Sequence, residues 1–140
     1  AGEDSPTTAV VLGDYKVDVD VRKSTRRSDT RNNKTTGILL PVVYITNQTG
    51  SVMELKLTAS VFKAAASDGT ELKFDSALQP LTLVQKVPAS VTPSFSTTDE
   101  GVFQKLSSGE LSLKLSITLS GQTAVYTMNF GDLTQTVEKI

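Results

Sequence analysis

Apolar and polar residues alternate strictly from Leu111 to Leu119, with Leu111, Leu113, Leu115, Ile117 and Leu119 set against Ser112, Lys114, Ser116 and Thr118. Successive side chains of a strand point to opposite faces, so this spacing predicts a long β-strand with one face in a core and one in water. The same period recurs at Tyr15, Val17, Val19 and Val21, with Lys16, Asp18, Asp20 and Arg22 facing out. It recurs again at Met53, Leu55, Leu57, Ala59 and Val61. Residues 37–46 form the most apolar stretch, rich in Val and Ile, and read as a central strand. Pro41 lies inside it without an N–H for a ladder, which predicts a bulge or an edge register there.

Turn residues divide the chain between these strands. Asn47-Gln48-Thr49-Gly50 reads as a turn that pairs residues 37–46 with residues 51–63 as a hairpin. Ala64-Ala65-Ala66 fits either a strand end or a short helical turn before the Asp68-Gly69 turn. Residues 71–75 and 81–87 are short strands, and residues 88–100 are an extended Ser/Thr-rich connection anchored by Phe95. Val102 and Phe103 begin a further short strand or edge, and Ser108-Gly109 turns the chain into the strand at Leu111. Residues 120–123 close a tight hairpin, and residues 124–130 return with Tyr126, Met128 and Phe130 on the core face. Residues 1–12 are expected as a flexible tail and residues 13–140 as a single domain. Seven or eight antiparallel strands at this spacing predict an all-β protein, a β-sandwich, with a closed barrel as the rival architecture. The irregular strand lengths favour the sandwich.

Residues 22–36, RKSTRRSDTRNNKTT, contain no apolar residue and read as a long polar loop. Structureless loops longer than about twelve residues are uncommon in compact domains and tend to be functional or disordered. This one carries Arg22, Lys23, Arg26, Arg27, Arg31 and Lys34 against Asp29 alone, a net of +5 in a chain whose total is −1. The remainder therefore carries −6. Such asymmetry makes the six cations a candidate site for an anionic partner, and Arg suits bidentate contact with carboxylate or phosphate. No aromatic residue is interleaved for base stacking, and the pI is about 5.4, so nucleic acid is disfavoured as that partner.

Composition narrows the chemistry further. Cys, His and Trp are absent. Without Cys there is no disulfide or thiolate, and without His there is no Ser-His-Asp arrangement and no imidazole metal site. A Cys-free chain of this size suits a bacterial exported protein better than a small eukaryotic secreted domain held by disulfides. The chain opens Ala1-Gly2-Glu3 without Met, as expected of a processed form or of a shortened chain. No apolar run approaches a membrane span.

The remaining motifs carry less. Asp14, Asp18 and Asp20 offer hard oxygen ligands, but a calcium site needs six or more oxygens, and Lys16 shares their face. Ser60 and Lys63 have the Ser-x-x-Lys spacing of penicillin-recognising enzymes, yet on a strand residues three apart point to opposite faces. Asn33-Lys34-Thr35 and Asn47-Gln48-Thr49 are glycosylation sequons in expected accessible loops. Asp75, Asp99, Glu100 and Glu110 are not paired by spacing for acid–base work. Catalytic residues, metal ligands and cofactors are therefore not expected.

The segments 42–49, VVYITNQT, 57–62, LTASVF, and 67–70, SDGT, carry a strand, a Thr-Asn-polar turn, a second strand and an Asp-Gly turn. This arrangement resembles small immunoglobulin-like domains of exported bacterial proteins, among them cell-surface lipoproteins and secreted antigens, over about a third of the chain. The resemblance implies an immunoglobulin-like sandwich outside the cytoplasm and no shared active site. Two functions are then in view. One is a non-enzymatic exported binding or accessory domain that presents loops, with the Arg-rich segment toward an unidentified protein or anionic surface. The other is a structural assembly subunit of a pilus, coat or surface layer, self-associating through a terminal strand such as residues 9–12.

Overall fold

The structure, a computed structural model, describes residues 8–75 and 79–140. Among these lie strands β1 (Val10–Leu12), β2 (Tyr15–Arg31), β3 (Lys34–Asn47), β4 (Met53–Leu55), β5 (Phe62–Ala66) and β6 (Glu71–Phe74). They are followed by β7 (Leu81–Leu83), β8 (Ala89–Val91), β9 (Phe95–Thr97), helix α1 (Glu100–Ser108), β10 (Leu113–Leu119), β11 (Gln122–Asn129) and β12 (Thr134–Lys139). The protein is all-β and antiparallel, as expected. One ten-stranded sheet runs in the order β1-β2-β3-β9-β6-β5-β10-β11-β12, with β8 also on β3, and β4 and β7 form a separate two-stranded sheet. The large sheet curls until β1 and β2 at one end meet β11 and β12 at the other, giving a nearly closed barrel.

The residues whose period announced a core face line the interior. Tyr15, Val17, Val19 and Val21 are buried, as are Leu113, Leu115, Ile117 and Leu119 from β10 and Tyr126, Met128 and Phe130 from the return. Phe95 is fully buried and meets Phe74 edge to face at 5.6 Å, so it does anchor its segment.

Other expectations are corrected. Residues 22–36 are not a loop: β2 and β3 run through them and pair from Thr25/Leu40 to Arg31/Lys34. Asn32 and Asn33 both take positive φ, 51° and 63°, which makes a two-residue turn of the twist that suits a hairpin. Of the expected tail, Val10–Leu12 pair with Val17–Tyr15 of the same chain and Leu12 is fully buried, while residues 1–7 lie outside the described residues. Residues 51–63 are not one strand paired with β3. β4 pairs with β7, and a turn closed by Val61 N–H to the Thr58 carbonyl (3.0 Å) precedes β5. Ala64-Ala65-Ala66 lies in β5.

Val102 and Phe103 lie in α1 rather than in a strand. The Asp99 carboxylate accepts from Val102 N–H (3.1 Å), and Gly109, at φ 90°, closes the last turn onto the Lys105 carbonyl. The helix buries Val102 and Leu106. Phe103 sits against Gly37 so closely that a Cβ there would lie 2.2 Å from the ring, so a bare glycine is what lets the helix dock on β3.

The predicted disturbance at Pro41 is present. Asp20 pairs with Val42 and Thr25 with Leu40, so residues 21–24 oppose the single Pro41. The Ser24 hydroxyl fills the gap, donating to the Asp20 carbonyl (2.7 Å) and accepting from Val42 N–H (2.9 Å). The Asp20 carboxylate accepts from the Arg22 (3.0 Å) and Lys23 (3.4 Å) amides and shapes the bulge.

The two ends of the sheet are joined by side chains. The Gln135 amide of β12 donates to the Val19 carbonyl (2.7 Å) and the Thr8 hydroxyl (2.6 Å) and accepts from Val21 N–H (2.8 Å). Thr8 in turn donates to the Asp18 carboxylate, which also accepts Val19 N–H at 2.8 Å. The buried Tyr126 hydroxyl is shared between the carbonyls of Thr8 (2.7 Å) and Val17 (3.0 Å). Replacing Gln135 by Leu leaves buried backbone groups on β2 without partners, and a loss of about 2–4 kcal/mol is expected; chemical denaturation of the variant checks it. Burial, and secondarily the Asp18 charge, hold the Tyr126 phenol above its ordinary range. Its contribution is complete below the unfolded pKa of about 10 and is lost as pH rises through the folded value. Tyr126→Phe should therefore be less stable at pH 7 by about 1–3 kcal/mol, yet lose less stability than the parent on titration above pH 10, as followed by unfolding midpoints.

Candidate functional site

Beyond the bulge, β2 and β3 continue as a ribbon that is two-stranded at its tip, past the β9 pairing at Gly37–Leu39. From Thr25 to Arg31 it spans roughly 20 Å at the usual rise of a strand. β9 covers the far side of β3 at Gly37–Leu39, whereas no strand pairs with the outer edge of β2 past Val17 among the described residues. The bulge sets which way each side chain points. Four residues of β2 oppose one of β3, an odd excess, so the inward parity switches from odd to even numbers.

All six cations singled out from the sequence are exposed, and the fold divides them. Arg27, Arg31 and Lys34 share the outer face, with Asp29 between them, and Arg31 stands directly opposite Lys34. Arg26 lies on the inner face opposite Leu39, and its guanidinium carbon is 5.6 Å from the centroid of the Phe130 ring. Arg22 and Lys23 sit in the bulge at the base of the ribbon, and the Lys23 ammonium lies 5.8 Å from the Tyr44 ring centroid. Two cations are thus held over aromatic rings, contacts worth about 0.5–1 kcal/mol at exposed sites. Neither ring partner was evident from spacing, because both depend on which strands meet.

The charges are little neutralised locally. Asp29 reaches Arg31 at 3.7 Å, with the two side chains 47% and 84% exposed, the one ion pair among the described residues. Pairs this exposed contribute little. Arg31 facing Lys34 is a like-charge cross-strand pair, which disfavours the hairpin slightly.

Two depressions adjoin the ribbon. One, of about 390 Å³, is lined by Lys16, Asp18, Lys23, Tyr44 and Thr46 among others. The other, of about 410 Å³, lies between Asn33–Thr35 at the ribbon tip and Thr98 and Glu100 at the start of α1.

Several of the other candidates do structural work. The Asp18 and Asp20 carboxylates are engaged in the seam and the bulge. Among the described residues no three His, Cys, Asp or Glu side chains are grouped to hold a metal. Ser60 shares a hydrogen bond with the Thr58 hydroxyl (2.7 Å), and Asp99 caps α1. Of the two sequons, Asn33 is exposed at the ribbon turn, but Asn47 is fully buried and not accessible. Its amide donates to the carbonyls of Ser51 (2.6 Å) and Leu83 (3.1 Å) and accepts from the amide and hydroxyl of Thr49. It fastens the end of β3 to the β4–β7 sheet. No family model, no curated protein and no solved structure matches this chain.

Asp29→Asn removes the one opposing charge on the ribbon. It should change stability by less than about 0.5 kcal/mol and lengthen retention on a cation-exchange resin.

Proposed function

We propose that this chain is a non-enzymatic binding or accessory module, exported from the cytoplasm, that engages an anionic partner through the β2–β3 ribbon. The observation that carries the reading is the placement of Arg22, Lys23, Arg26, Arg27, Arg31 and Lys34, all exposed, along one strand pair from the bulge to the tip of the ribbon. Of the six, only Arg26 and Lys23 lie over aromatic rings, and the Arg31/Lys34 pairing is one that stability alone disfavours. A rigid scaffold holding out a charged element is the usual basis of recognition by such folds. The fixed strand pairing orders the backbone that carries the guanidinium groups, which lowers the entropy cost of contact.

The export setting rests on the absence of Cys and on the sequence pattern of residues 42–49 and 67–70 alone, since residues 57–62 do not form the second strand of a hairpin with β3. The partner is an acidic protein or another anionic surface, recognised by bidentate Arg contacts.

The test is binding of the full chain to immobilised poly-glutamate and to vesicles containing phosphatidylglycerol, at increasing salt. The variant Arg26→Gln/Arg27→Gln/Arg31→Gln, in exposed positions, should lose about 1 kcal/mol of stability or less, through the Arg26–Phe130 contact, and bind at least tenfold more weakly, with a shallower salt dependence. Equal binding by parent and variant would remove the ribbon from the function.

A further inference from the structure

We propose that the outer edge of β2 at Arg26, Ser28 and Thr30 is a docking site for an extended acidic segment of a partner protein, which adds to the sheet as a further strand. The proposal rests on the anionic-partner reading above and specifies its chemistry.

Hydrogen-bond bookkeeping along the ribbon identifies the site. The turn has two residues, so the flanking pair Arg31/Lys34 is hydrogen-bonded, and bonded pairs then alternate along the ladder. Thr25, Arg27, Asp29 and Arg31 spend their peptide groups on β3. The N–H and C=O groups of Arg26, Ser28 and Thr30 face the other way, where no strand pairs with them among the described residues. The Thr30 and Thr35 hydroxyls meet across the strands at 3.0 Å, in keeping with the closer side chains of a non-hydrogen-bonded pair.

The lower half of the same edge is treated differently. There Tyr126 takes the Val17 carbonyl, Asp18 takes Val19 N–H, and Gln135 takes the Val19 carbonyl and Val21 N–H. Side chains close the edge as far as Val21 and leave it open beyond the bulge. Open edges are templates for strand addition, in which main-chain bonds supply affinity and alternate side chains supply specificity.

Charge selects the occupant. A second copy would bring its own Arg-rich edge alongside, and like charges disfavour that pairing. An incoming strand sets alternate side chains beside Arg27, Asp29 and Arg31 on the outer face. The complementary segment therefore has carboxylates at two positions four residues apart, with an uncharged residue midway beside Asp29. Its other face passes Arg26, Ser28 and Thr30, where a further carboxylate beside Arg26 is accommodated.

The probe is a seven-residue Thr-rich peptide with Glu at its second and sixth positions, compared with the same peptide N-methylated at alternate amides. Both carry the same charge, but only the first can pair. Amide exchange in the full chain should slow at least tenfold at Arg26, Ser28 and Thr30 with the first peptide and stay unchanged with the second. Ser28→Pro removes an outward N–H without touching the β3 ladder. It should lose the peptide at least tenfold while still binding poly-glutamate-coated resin at low salt. Equal binding of both peptides, or of Ser28→Pro and parent, overturns strand addition and leaves the anionic reading standing. Protection of the same amides that rises with protein concentration and needs no peptide overturns it in favour of self-pairing. If Arg26→Gln/Arg27→Gln/Arg31→Gln binds peptide and resin like the parent, the anionic reading itself falls.

Discussion

The two ends of the ten-stranded sheet meet without a continuous backbone ladder, and the Gln135 side chain makes the hydrogen bonds that a neighbouring strand would otherwise make. A carboxamide carries the same donor and acceptor as a peptide group, so it can stand in for one residue of a strand. Here both of its N–H bonds and its oxygen are used, in a buried setting where such bonds are strong and unpaired groups are costly. Thr8, Asp18 and Tyr126 complete the network, each satisfying a group that the meeting of β2 with β11 and β12 would leave bare. The polar seam thereby bridges the joint between the two ends of the sheet among the described residues.

That closure shapes everything downstream along β2. The strand is committed to the barrel only as far as Val21, where the last bond to Gln135 is made. Pro41 and Ser24 then shift the register, and the strand pair continues beside β9 at residues 37–39 before its tip, residues 29–36, stands as a two-stranded ribbon. The odd excess of residues in the bulge turns Arg26 toward Phe130 and leaves Arg27 and Arg31 on the outer face. A single ring of constraints thus links the core, the direction of the ribbon and the distribution of its charges.

Much of the core was legible in the sequence, because a strand with one wet and one dry face writes its period into the chain. β10, β11 and the first half of β2 show this at Leu115, Tyr126 and Val19, all of which point inward. The ribbon was not legible as strand because both of its faces are wet, so no hydrophobic period exists between Arg22 and Thr36. The Asn32-Asn33 turn and the run of Thr residues were the available signals. Residues 51–63 misled in the opposite way: Leu57 and Val61 are buried at the expected positions, but burial on a period does not require a ladder, and the chain turns at Thr58. Helix α1 is short and contains Gly101, yet Asp99, Gly109 and the four-residue spacing of Val102 and Leu106 mark its ends and its buried side. The six cations could be read as a charge cluster. Their division between two faces could not, because it follows from a bulge whose width depends on tertiary pairing.

The Asn47 amide sits where three strands are tied together, and it is also the acceptor position of a sequon. A sugar attached there before folding would occupy the space in which the Ser51 and Leu83 carbonyls converge, and β3 could not be fastened to the β4–β7 sheet. In a secretory pathway that modifies nascent chains, occupancy at this asparagine and completion of the fold exclude one another, whereas a sugar on Asn33 would be borne at the ribbon tip. In such a setting the order of modification and folding would decide whether the Asn47 side chain reaches the Ser51 and Leu83 carbonyls.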